Sequence, residues 1–215
     1  MPFARTIFAS HYRANLLIAL SVFLLLPITP ACARSGGKDY FPLANGAKWE
    51  YEGRFSSADG KGFSVRATVR VDGETLINGK RYFKLVTSSN ADTSAPPEAG
   101  KRLEGVRYYR IADDGIYFRP GDNDPEKPDT LELPMPVPLG VRWLSGTNEA
   151  RAERVGTVSA GGREYRDCLK VSFNLSGGTS SENYYAPGVG IVKAVYVNAT
   201  PPRSTVESTL VSYHF

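Results

Sequence analysis

Few side chains in this sequence have a type and spacing that could do chemistry. The chain holds two cysteines and two histidines. Cys168 lies in EYRDCLKVSF, where strict alternation would place it with Arg166 and Lys170, opposite Tyr165, Asp167, Leu169 and Val171. Flanking cations favour a thiolate, but no general base accompanies it, so a half-buried inert thiol is expected unless a bulge reverses the alternation. The acid-rich run GDNDPEKPD offers Asp122, Asp124, Glu126 and Asp129 as hard oxygen donors. It lacks the glycine and terminal glutamate of a calcium loop, and reads as a solvated acidic loop. The stretch NYYAPGVGIVKAVY carries two glycines and a lysine, but not the spacing of a phosphate loop. The residues after Gly190 are β-branched, so no helix N-terminus is expected there to hold an anion. Pro187 and Gly188 instead suit the central positions of a type II turn, and Gly190 suits a bulge where the next strand begins. No catalytic residue, cofactor or metal ligand is singled out.

The N-terminus limits this inventory further. Arg5 and Arg13 precede the apolar run LLIALSVFLLLP, and no acidic residue occurs in 1–33. With the small-residue exit Ala31-Cys32-Ala33, this is the pattern of a secretory signal. The run is shorter than the roughly 20 residues that span a bilayer, so no transmembrane span is expected. Two processing routes are open. Cleavage after Ala33 would release a soluble protein, whereas lipidation of Cys32 would give a lipid-anchored one. After cleavage only Cys168 and His214 remain of their types, so neither an internal disulfide nor a Cys/His zinc site of about four ligands can form within one chain. The net charge is +4, half of it leaves with Arg5 and Arg13 of the leader, and the other basic residues are scattered. A nucleic-acid partner is therefore not expected.

Residues 34–215 suffice for a single core. Period-two alternation dominates, as in GFSVRATVRV, where Phe63, Val65, Ala67, Val69 and Val71 share one face. Trp49, Tyr51 and Phe55 alternate in the same way with Lys48, Glu50, Glu52 and Arg54. Asp72-Gly73, Asn78-Gly79, Asp113-Asp114-Gly115, Gly161-Gly162 and Pro187-Gly188 read as turns. Segments 88–100 and 120–138 read as long loops. No helical stripe emerges.

A set of landmarks recurs in order. Pro42-Leu43, Gly46-x-x-Trp49, Gly79-x-x-Tyr82, Tyr108-Tyr109 and Gly115-Ile116 are echoed by Pro138-Leu139, Gly140-x-x-Trp143, Gly162-x-x-Tyr165, Tyr184-Tyr185 and Gly190-Ile191. The expectation is an all-β domain over 34–215, a curved antiparallel sheet or barrel-like unit. It would be built from two similar β-meander repeats at about 40–119 and 136–215. Trp49 and Trp143 are expected to plug the core, and one tyrosine of each adjacent pair to point inward.

The opening YFPLANGAKWEY, the strand GREYRDCLKV and the stretch NYYAPGVGIVKAVY together resemble the TapB-like domains of unknown function found in exported bacterial proteins and lipoproteins. Phe41, Pro42, Leu43, Gly46, Trp49 and Tyr51 match the opening, 167–171 the strand and 184–193 the hairpin. The resemblance implies an all-β envelope domain, periplasmic, extracellular, or anchored to the outer membrane through Cys32. It carries over no catalytic residues. Three functions fit: a non-enzymatic envelope protein holding a lipid-like or other hydrophobic ligand in a concave apolar face; an interaction module with a packed interior that meets an envelope protein partner; and, ranked last, a carboxylate-dependent hydrolase. The intact mass of the exported protein separates the two processing routes: a diacylglycerol adduct on Cys32 marks the anchored form, and a chain starting at Arg34 the soluble one.

Overall fold

The computed structural model describes residues 37–92, 94–95, 104–121, 126–201 and 203–215. The expected leader with Cys32, and Asp122 and Asp124, lie outside them. A short 3-10 turn, Gly37–Tyr40, precedes the strands β1 (Lys48–Ser57), β2 (Gly62–Ile77), β3 (Lys80–Ala91), β4 (Gly105–Ile111), β5 (Gly115–Pro120) and β6 (Thr130–Pro134). The chain continues through β7 (Arg142–Ser145), β8 (Asn148–Ala160), β9 (Arg163–Leu175), β10 (Thr179–Ala186), β11 (Gly190–Asn198) and β12 (Ser204–His214).

All belong to one 12-stranded sheet, in the order β6-β5-β4-β3-β2-β1-β12-β11-β10-β9-β8-β7. Each half of the chain is an antiparallel meander, in which every strand pairs with its neighbour in sequence. The halves join through β1 and β12, which run antiparallel from Lys48–His214 to Ser57–Ser204 with a bulge at Glu50/Tyr51. The two ends of the sheet, β6 and β7, come into contact without a hydrogen-bonded ladder among the described residues. The result is a curved antiparallel sheet that nearly closes into a barrel. The recurring landmarks fall on corresponding strands of the halves. Trp49 and Trp143 lie in β1 and β7, Tyr82 and Tyr165 in β3 and β9, and the tyrosine pairs in β4 and β10.

Alternation explains the faces. In β2, Val65 and Val71 are buried while Ser64, Arg66 and Arg70 are exposed. The core lies on the concave face and draws on both halves: Val71 and Tyr109 from the first, Ala152, Leu169, Val171, Tyr185 and Leu210 from the second. Phe41 sits between the halves, its ring 5.0 Å from that of Tyr109 and 5.9 Å from that of Tyr185.

Several local expectations are corrected. Asp72-Gly73 is a bulge within the long β2, not a turn. Gly73 has φ +90°, and the pairing with β3 slips between Val71 and Glu74. The expected loop at 120–138 contains β6, and β3 runs to Ala91, inside the expected loop at 88–100. Tyr108 and Tyr109 do point to opposite faces, yet both are buried. Tyr108 joins Ile77 and Tyr82 in a second small cluster. The Tyr82 hydroxyl of that cluster donates to Asp129 at 2.7 Å. Asp129 is therefore no solvated acid. Arg110 donates to it at 2.9 Å, and Arg119 and Lys80 lie at 3.6 and 3.7 Å. Burial alone would raise its pKa, but the hydrogen bonds from Tyr82 and Arg110 and the nearby cations hold it below the ordinary value.

The turn in NYYAPGVGIVKAVY takes the expected form. The Val189 N–H donates to the Ala186 carbonyl at 3.2 Å, and Gly188 has φ +68°. Pairing slips between Tyr184 and Tyr185 as β11 begins, and Gly190 has φ +97°. This hairpin docks on the N-terminal segment. The indole N–H of Trp49 donates to the Val189 carbonyl at 2.7 Å, the Tyr51 hydroxyl donates to the Ile191 carbonyl at 3.0 Å, and the Gly188 N–H donates to the Asp39 carbonyl at 2.7 Å. A Cβ on Gly190 would meet the Trp49 indole nitrogen at 3.6 Å, and its positive φ would strain any side chain. Trp49→Phe keeps a ring in place but strands the buried Val189 carbonyl. It is expected to lower unfolding free energy by about 1–3 kcal/mol in urea denaturation; an unchanged midpoint would show that the bond is replaced without cost.

Candidate apolar cleft and its polar end

The concave face is not filled everywhere. A cleft of about 430 Å³ opens between the N-terminal segment and strands β1–β4 and β11. Its walls are mainly apolar. Phe41 and Leu43 contribute from the N-terminal segment, Trp49 and Tyr51 from β1, Val69 and Leu85 from β2 and β3, and Ile191 from β11. Alternation along each strand directs these residues to one face, and the docked hairpin brings Ile191 beside Tyr51. The hydroxyl of Tyr51 is occupied by the Ile191 carbonyl, and burial, with lesser effects from Tyr109 and Tyr165, pushes its pKa well up. It stays a neutral phenol.

Polar groups gather where β4 enters the cleft. Arg107 and Tyr109 occupy alternate positions on β4, and both line the cleft, with Glu104 and Gly105 at its mouth. Burial first, then the charge of Glu132, pushes the Tyr109 phenol up to about 12, partly offset by Arg107. Glu132 comes from β6 and faces inward at the bulge between Ile116 and Tyr117. The Tyr185 hydroxyl of β10 donates to it at 3.1 Å, across the sheet interior. Burial raises the Glu132 carboxyl despite this hydrogen bond and the charge of Arg107. Arg107, Tyr109, Glu132 and Tyr185 thus form a polar set reaching from the end of the cleft into the core.

The sequence-expected residues divide. Trp49 plugs the core with its N–H satisfied, whereas Trp143 is only half-buried and its indole N–H meets no acceptor among the described residues. The two are not equivalent, although the landmarks align them. Tyr185 is fully buried and central, while Tyr184 lies on the outer face and donates to Glu182 at 2.8 Å. Pro187, Gly188 and Gly190 shape the hairpin, and Gly190 also lines the cleft.

Cys168 is not beside Arg166 and Lys170. Asp167 has φ +55° and the β8–β9 register slips around Gly156, so Cys168 turns into the core and is fully buried. Burial raises its pKa and its thiol donates to the Tyr165 carbonyl at 3.3 Å, which is the opposite of an activated nucleophile. Among the described residues, which include Glu126 and Asp129 but not Asp122 and Asp124, no group of three His, Cys, Asp or Glu could hold a metal ion. Glu132 went unnoticed in sequence, because it sits in the Pro-rich run read as loop. Alternation in TLELP would set Glu132 opposite Leu131 and Leu133, on the outer face, and only the bulge in the β5–β6 pairing turns it inward.

No protein-family model matches this chain, and no curated protein does. Among solved structures, the chain is distantly similar to a Bacteroides fragilis protein described as exported and of YmcC-like fold, at 15% identity and TM-score 0.48, covering 81% of this chain and 98% of that one. A protein described as a lipoprotein from Parabacteroides distasonis follows at 12% identity and TM-score 0.36, with 81% and 98% covered. A Vibrio parahaemolyticus domain described as an outer membrane lipoprotein-sorting protein has 7% identity and TM-score 0.23, with 83% and 88% covered. Likenesses this distant identify neither a ligand nor the TapB-like domains in particular. Among the described residues no helix is long and apolar enough to cross a membrane.

The raised pKa of Glu132 has a sign consequence. Folding favours its protonated form, so this contribution is fully present below the unfolded-state value near 4.5 and is lost as pH rises through the higher folded value. Glu132→Gln is expected to gain stability relative to the wild type between pH 4 and pH 7, read from urea midpoints at both values. Parallel midpoints would show that the carboxyl titrates as an exposed one.

Proposed function

We propose that this chain is a non-enzymatic, exported bacterial envelope protein that holds a small hydrophobic ligand in the cleft of its concave face. One observation carries the reading: a mainly apolar cleft of about 430 Å³, open to solvent and walled by Phe41, Leu43, Tyr51, Val69, Leu85 and Ile191. Small-molecule sites run from roughly 300 to 1,000 Å³ and pair apolar walls with a few placed polar groups. The cleft has both.

Export is supported by the leader at 1–33, followed by a single domain over 34–215 assembled from two like meanders. The motif likeness to TapB-like domains supports the same envelope setting. Lipidation at Cys32 and cleavage after Ala33 both place the domain outside the cytoplasm.

A second reading has its own support. Leu139, Val141 and Leu144 are exposed around β7, the short strand at one end of the sheet. An unpaired strand edge flanked by apolar side chains can take up a strand from an envelope protein partner.

Filling the cleft separates the two. Ala67 lines it from β2. With wild-type protein, N-phenyl-1-naphthylamine is expected to bind with a fluorescence increase, and Ala67→Trp is expected to weaken that binding at least about tenfold, the equivalent of 1.4 kcal/mol. A wild-type protein that binds no probe, and that carries no co-extracted small molecule by native mass spectrometry, would overturn the ligand reading.

A further inference from the structure

The polar end of the cleft says more about the ligand than its apolar walls do. Arg107 lies on β4 on the same side as Tyr109, exposed at the edge of a mainly apolar cleft. Arg107 joins none of the ion pairs that the described residues make. It donates to the Tyr109 phenol, its first electrostatic neighbour, and Glu132 and Tyr185 follow. Tyr109 stays neutral, and the Glu132 carboxyl accepts from Tyr185 deeper in the core. The guanidinium remains exposed enough to meet a ligand. Glu104 is the acid that lines the cleft, and it lies at the exposed mouth.

The arrangement has an apolar trough with one fork-shaped cation at its end. A guanidinium presents parallel N–H donors that match the two oxygens of a carboxylate. We propose that the cleft takes a single-chain amphiphile whose carboxylate head pairs with Arg107 while its alkyl tail lies along Tyr51, Val69, Leu85 and Ile191. The volume of about 430 Å³ lies at the small end of ligand sites, which fits one chain. This inference rests on the hydrophobic-ligand reading and specifies its head group.

Competition against bound N-phenyl-1-naphthylamine tests it, with dodecanoate and dodecanol as competitors of equal chain length at pH 7.5. Dodecanoate is expected to displace the probe at about a tenfold lower concentration than dodecanol, since a hydrogen bond to a charged group contributes about 1.5–3 kcal/mol. In Arg107→Met the two are expected to compete equally, with probe binding retained. Arg107→Lys is expected to keep part of the preference, and serves as the deciding variant if Arg107→Met fails to fold. Equal displacement in the wild type would overturn the head-group assignment and leave the ligand reading standing, as would a preference that survives Arg107→Met or, in the deciding case, a preference in Arg107→Lys as large as the wild type's. A wild-type protein that does not bind the probe would overturn both.

Discussion

The antiparallel ladder between β1 and β12 is the constraint on which the rest of this fold depends. Each half of the chain is a meander, and a lone curved meander leaves two bare edges and half a core. Pairing Lys48–Ser57 with Ser204–His214 removes an edge from each half and makes one sheet of both. The contact joins the two ends of the domain, so it carries a large loop-closure cost that local hairpins do not. Burial across the concave face offsets that cost. Phe41, touching Tyr109 of one half and Tyr185 of the other, sits where the two faces meet.

A second layer of bonds locks this junction. The Trp49 indole, the Tyr51 hydroxyl and the Asp39 carbonyl all engage the β10–β11 hairpin through its backbone. The two most conspicuous sequence motifs, near 41–51 and 184–193, are thus two sides of one contact. The turn glycines serve that contact. Gly190 supplies the positive φ with which β11 begins beside the Trp49 indole, a conformation that would strain any side chain.

The cleft follows from the same geometry. Near closure of the barrel leaves the concave face covered but incompletely filled beside the docked hairpin, and alternation lines that space with apolar side chains. The polar set at its end comes from three strands far apart in sequence: Arg107 and Tyr109 in β4, Glu132 in β6 and Tyr185 in β10. Their mutual influence, seen in the raised Tyr109, Glu132 and Tyr185, comes from sharing a dry interior.

Much of the architecture was legible from period-two alternation, because a strand with one dry face must repeat every second residue. The all-β class, the meander order, the Pro187-Gly188 turn and the inward faces of β1 and β2 follow from that rule and from turn chemistry. Bulges broke it. Asp72-Gly73 looks like a turn because Asp-Gly favours positive φ, and only pairing with β3 shows the strand continuing. Asp167 likewise reversed the face of Cys168, moving it from beside two cations into the core. Asp129 reads as solvent-facing by composition, but Tyr82, Arg110, Arg119 and Lys80 reach it from other strands. Local sequence determined which residues prefer a strand, a turn or a dry face, since those preferences are set by neighbours in the chain. Tertiary structure alone decided that Glu132 meets Tyr185, that Arg107 ends an apolar cleft, and that the motif at 184–193 is a docking surface for Trp49. Each of these depends on register and closure between strands that the linear spacing does not encode.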